Sequence, residues 1–171
     1  MSSANLTHHQ LRRRSVLTSL AIAALAPACS TKQSAPDTRF VLLDGSQTST
    51  QALRGKVFLI NFWATSCTSC VAEMPALDRL QAMLRAERIA VLALSSDRGG
   101  RAQVEPFYQR LGLKELAIWL DPRGAAARAL GARGLPTTVI IDRRGREVAR
   151  LEGEAAWDAP ELVAAVRRLV A

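Results

Sequence analysis

The chain has 171 residues, which suits one domain with a short appendage, and its 49% apolar content excludes disorder throughout. Aromatic residues make up only 5%, so a core must be built mostly from Leu, Val, Ile and Ala. The net charge is +8, with Arg12, Arg13 and Arg14 supplying three of those charges; the other basic residues are scattered, which argues against a nucleic-acid surface and leaves an acidic partner or an anionic membrane surface open.

The first elements in chain order are those of an export segment. Arg12 to Arg14 form a basic start, Val16 to Leu25 an apolar middle, and Ala26-Pro27-Ala28 a small-residue cleavage region. At ~1.5 Å per residue, Val16 to Ala28 is too short to cross a hydrocarbon layer of roughly 30 Å. Residues 1–28 therefore read as an export signal or N-terminal anchor. Cys29 follows the small residues directly, where a bacterial lipoprotein is cleaved and lipidated, although Ala26 stands where such signals usually carry Leu. Cleavage after Ala28 and an uncleaved anchor stay open beside lipidation. On each route the domain is exported to the periplasm, where disulfides form and persist.

Residues 29–38 read as a flexible linker, leaving a folded domain over 39–171. Asp44-Gly45 predicts a short hairpin from Phe40 to about Leu53. "KVFLINFWA" is a continuous apolar run, as expected of a strand buried on both faces. Val71, Met74, Leu77, Leu80, Met83 and Leu84 recur at three- and four-residue intervals and predict a helix from Thr68 to Arg88. "RIAVLALSS" is a strand, Val104 to Leu111 a helix, "LAIWLD" a strand and "GAAARALGA" a helix. "TTVIID" and "EVARLEG" form a hairpin, and "APELVAAVRRLVA" a closing helix with Pro160 in its first turn. Strands alternating with helices predict an α/β domain around a central mixed sheet.

Within this order, Cys67 and Cys70 lie where a buried strand gives way to a helix. Free N–H groups and the macrodipole at such a terminus lower the pKa of a thiol and make it the attacking species. A second thiol one turn inward on the same face can form or resolve a disulfide with the first. Structural zinc needs about four ligands, and the domain has neither histidine nor a third cysteine. A staple between cysteines this close would constrain little of the unfolded chain. A peroxide-reducing cysteine would want Ser or Thr three residues earlier, where Ala64 stands. The pair reads as redox-active.

"NFWATSCTSCVAEMPAL", "GLPTTVIIDRRGREV" and "EGEAAWDAPEL", in this order after an export signal, resemble the TlpA-like thiol–disulfide oxidoreductases of the thioredoxin superfamily. The resemblance implies a thioredoxin-like fold with an added N-terminal β-hairpin and an extra βα element. It implies that Cys67 is the exposed nucleophile and Cys70 the buried resolving thiol. Pro136 would be a cis proline facing the disulfide, Leu135 would offer backbone groups to an extended substrate segment, and Trp63 would pack beside the active-site turn as a third substrate-binding residue. Glu73, one helical turn after Cys70, matches a frequent acid and could take the Cys70 proton; a solvated surface glutamate has the same spacing. Two departures stand out. Asn61 replaces the buried Asp of many thioredoxins, and Thr68-Ser69 replaces the frequent x-Pro dipeptide, which leaves the redox poise unread.

The function implied is reduction of disulfides in partner proteins, with a membrane thiol carrier as electron donor. By analogy, the substrates would be cytochrome c apoproteins or copper-site assembly factors. No metal or organic cofactor is expected, because the sulfurs are themselves the redox group, and no nucleic acid is expected as partner. The alternatives are a dithiol oxidase or isomerase, and a non-catalytic copper- or zinc-binding C-x-x-C module.

Overall fold

The computed structural model describes residues 33–170. The export signal, the anchor alternatives and Cys29 lie outside the described residues. Eleven elements follow the expected order. They are β1 (Arg39–Leu42), β2 (Gln47–Ser49), β3 (Val57–Trp63), α1 (Thr68–Leu84), β4 (Ile89–Ser95), α2 (Arg101–Leu111), β5 (Trp119–Leu120), α3 (Ala125–Ala129), β6 (Thr137–Ile141), β7 (Glu147–Glu152) and α4 (Pro160–Val170). The strands make one mixed sheet in the order β2-β1-β5-β4-β3-β6-β7. β3 lies inside it, parallel to β4 and antiparallel to β6, and is buried at every position. That is why its sequence shows no polar alternation.

Parity along β3 decides which face each side chain enters, because alternate residues point to opposite sides of a sheet. Val57, Leu59 and Trp63 join Met74, Leu77 and Leu80 of α1, Val104 and Phe107 of α2, and Val163 and Val166 of α4 in one apolar cluster. Phe58, Ile60 and Phe62 join Ala126 of α3, Leu130 and Phe40 in the other. Asn61 has the parity of Leu59 and Trp63, so it faces α1.

Three boundaries differ from the sequence reading besides β5, where only Trp119 and Leu120 of "LAIWLD" are paired as a strand. The first helix stops at Leu84, followed by a 3₁₀ turn over Arg85–Glu87 and Arg88 in the left-handed region at φ 58°. The helix expected from Val104 begins at Arg101. The linker is the third correction. Ala35 N–H donates to Gly145 O at 2.8 Å, Glu147 N–H donates to Gln33 O at 3.0 Å, and Thr38 is buried against Thr50. The paired chain therefore begins before Arg39. A polar stretch held by its backbone carries no hydrophobic signature, so composition reads it as a tether.

Candidate active site

The loop that carries the first cysteine is held from below by a buried carboxylate. Asp97, just past β4, accepts the Thr65 N–H at 2.9 Å, the Thr65 hydroxyl at 2.7 Å, the Ser95 hydroxyl at 2.8 Å and a Gln103 amide N–H at 2.8 Å. The fan of donors fixes the strand-to-helix joint two residues before Cys67. No spacing rule singles out Asp97, because its partners come from three different segments.

Cys67 is the N-cap of α1, with extended backbone at φ −94° and ψ 106°, and its sulfur accepts the Cys70 N–H at 3.3 Å. No acidic residue occupies the first turn of the helix, so nothing there opposes negative charge on that sulfur. Cys67 is half-buried and Cys70 has no exposed surface. The two are joined as a disulfide, with their Cα atoms 5.2 Å apart.

Glu73 is the main departure from a surface reading. It is only 3% exposed, because a residue three after Cys70 and four before Leu77 lies on the inward face of α1. Its carboxylate collects three donors. Asn61 Nδ2 donates to one oxygen at 2.7 Å, while Trp157 Nε1 at 2.9 Å and Ala155 N–H at 3.1 Å donate to the other. Burial pushes the carboxyl up from its ordinary range, and the hydrogen bonds from Trp157, Asn61 and Ala155 pull it back. The charge of Glu154 pushes in the same direction as burial. A cavity of about 380 Å³ lined by Ala72, Glu73, Glu154, Ala155 and Ala156 opens this side of α1 toward solvent.

Asn61 is fully buried and opposite Thr138 in the β3–β6 register. Its Nδ2 serves Glu73 and also Thr138 Oγ1 at 3.0 Å, while its Oδ1 has no partner. The position that lacks an acid is thus wired to the acid that is present. Trp157 and Thr138 complete this group and are invisible to local spacing, since they lie 84 and 77 positions from the residues they serve.

Trp63 needs a correction. It has no exposed surface, and its ring packs against Phe107 and Tyr108 of α2 with centroids 5.2 and 6.0 Å away. It shares the apolar cluster of Cys70 and cannot touch a substrate. Trp63→Ala should cost about 3–5 kcal/mol, the range for emptying a large aromatic site, with alkylation of the reduced cysteines unchanged in the folded fraction. Urea titration read alongside the alkylation rate checks this; slower labelling in folded protein would return Trp63 to the site.

Pro136 is buried, the Leu135–Pro136 peptide bond is cis, and Leu135 is 39% exposed. This loop leads into β6, which lies beside β3, so it shares the sheet edge from which the cysteine loop emerges. Pro136 O accepts the Gly153 N–H at 2.9 Å. Among the described residues, no three His, Cys, Asp or Glu side chains converge as a metal cluster.

This architecture has known counterparts. The Redoxin family model matches residues 30–166. Thioredoxin-like protein YneN of Bacillus subtilis is 37% identical over 66% of this chain and 66% of its own length. Thiol-disulfide oxidoreductase ResA of Geobacillus thermodenitrificans is 35% identical over 66% of this chain and 63% of its own. The chain thus spans just under two thirds of the relatives it matches. Among solved structures, the exposed lipoprotein thioredoxin Etrx1 of Streptococcus pneumoniae superposes with a TM-score of 0.64 at 25% identity, covering 78% of this chain and 99% of that one.

Proposed function

From a chain that belongs to the Redoxin family and has a thioredoxin-like fold, we propose an exported protein-disulfide reductase working through Cys67 and Cys70. One observation carries the reading. A half-exposed sulfur caps a helix, a fully buried sulfur sits one turn in, and a buried carboxylate sits one turn further.

The cycle begins with the dithiol. Cys67 thiolate attacks one sulfur of a substrate disulfide, forming a mixed disulfide and expelling the other sulfur as a thiolate. Cys70 gives its proton to Glu73 and attacks Cys67 Sγ, which releases the second substrate thiolate and closes the Cys67–Cys70 disulfide. Two electrons have passed to the substrate, and a dithiol donor, a membrane thiol carrier in this reading, returns the pair to its reduced form. Leu135 and Pro136 lie at the same sheet edge and would pair with the substrate segment through backbone groups. By family analogy, the substrates are cytochrome c apoproteins or copper-site assembly factors in the periplasm, with residues 1–28 as signal or anchor and Cys29 as the lipidation point.

Reduction of the insulin interchain disulfides by dithiothreitol, with and without the protein, tests the reading. Acceleration that vanishes in Cys67→Ser is expected. Tight stoichiometric copper binding by the dithiol without any acceleration would favour a metal-carrying module instead.

A further inference from the structure

The edge around the disulfide is electrically lopsided. On the β4–β5 side, a groove of about 710 Å³ is lined by Ser96, Arg98, Pro122, Arg123 and Gly124. Ser96 N–H donates to Trp63 O at 2.9 Å, so the groove begins one strand over from the loop that carries Cys67. Arg98 and Arg123 are exposed, and so is Arg128, whose guanidinium lies 2.7 Å from Arg123 O. None of these three is in an ion pair among the described residues. The nearby acids form no ion pair with them, although the charge of Arg128 is felt by Asp121. Asp97 is buried and spent on Thr65, Ser95 and Gln103, while Asp121 is buried and spent on the Ala125 and Ala127 N–H groups. On the other side, past Pro136, β7 ends in exposed Glu152, with Glu154 exposed two residues on.

We propose that the arginine groove is a docking surface for an acidic segment flanking the disulfide of the partner polypeptide. The proposal rests on the reductase reading and adds what the partner must look like. Three exposed guanidinium groups on and after the loops that follow β4 and β5, at the end of the sheet from which the cysteine loop emerges, raise the local concentration of carboxylates there and speed encounter in a salt-dependent way. The glutamates across the edge repel a uniformly anionic surface such as a bilayer or a nucleic acid, so the fit is to a polypeptide acidic on one flank of its cysteine.

The test uses two disulfide-bonded peptides of equal length, one with Asp and Glu on one flank and one with Asn and Gln there, reduced by the full chain as dithiol. At ~20 mM salt, the acidic peptide should react about 10-fold faster, and ~0.5 M salt should close the gap to within about 2-fold. The double variant Arg98→Glu/Arg123→Glu should lose about 10-fold on the acidic peptide and stay within about 2-fold on the neutral one. Equal rates for the two peptides, or an equal loss on both, overturns the proposal. So does a larger salt effect with oxidised glutathione, or with anionic vesicles, than with the acidic peptide. Anisotropy with labelled, cysteine-free versions of both peptides reads the groove without turnover, and equal binding there overturns it as well. Failure to reduce the uncharged 4,4′-dithiodipyridine would instead sink the reductase reading while leaving the binding result to stand.

Discussion

Cys70→Ser is expected to halt the reaction at a covalent complex between Cys67 and a substrate cysteine, with resolution slowed by about 10³-fold or more. The size follows from proximity. Cys70 is held within disulfide reach of Cys67 by a single turn of α1, and an external thiol must replace that intramolecular attack by diffusion. Cys67→Ser should form no such complex, because the remaining sulfur has no exposed surface. Non-reducing electrophoresis and intact mass after mixing with a disulfide peptide read both variants. A complex formed through Cys70 in Cys67→Ser would reverse the assignment.

Glu73→Gln is expected to slow resolution by about 10²-fold while the first attack by Cys67 changes little. The carboxylate lies one turn from a fully buried thiol that must shed its proton to attack, and general-base help is worth about 10²–10⁴ in rate. At 3% exposure Glu73 is not a screened surface group, so the loss should reach that range rather than fall below it. Wild-type resolution should fall as pH drops through the raised Glu73 pKa, whereas the variant should lack that dependence. Single-turnover traces from pH 6 to 9 separate the steps, and unchanged resolution would leave Glu73 a packing residue.

The same group predicts a stability effect of definite sign. A carboxyl raised above its unfolded value of 4.5 binds its proton more tightly in the folded chain. The stability it contributes is fully present below that value and is lost as pH rises through the folded pKa. Urea midpoints should therefore fall over this window in the wild type and stay flatter in Glu73→Gln. The variant can fold: its amide oxygen can serve Trp157 and Ala155, and Asn61 can turn its unpartnered Oδ1 toward the new N–H₂ by giving up Thr138.

The fold was legible where burial leaves a periodic trace. The unbroken run of β3 and the three- and four-residue spacing of α1 suffice to put the cysteines at a strand-to-helix joint. β5, with two paired residues, and the backbone-held stretch at Gln33–Ala35 leave almost no such trace. At the site, spacing put Glu73 on the helical face of Cys70 but could not decide between solvent and core. That choice is made by Ala155 and Trp157, which arrive from the far end of the chain. Trp63 shows the converse: a tryptophan next to a motif is equally at home in the packing beneath it.

The three donors that converge on Glu73 bind together parts of the chain with no other reason to move in concert. Ala155 N–H and Trp157 Nε1 rest on one oxygen, so the turn leading into α4 cannot lift without stripping that carboxylate of two partners. Lifting it should cost more when the oxygen is charged and less when it is protonated, since charge-assisted bonds are the stronger kind. The breathing of this turn, as amide hydrogen exchange at Ala155 would register it, is therefore coupled to the proton balance of the thiols. On the proposed cycle, each closing of the disulfide sends a proton toward Glu73 and should loosen the C-terminal turn for as long as that proton stays.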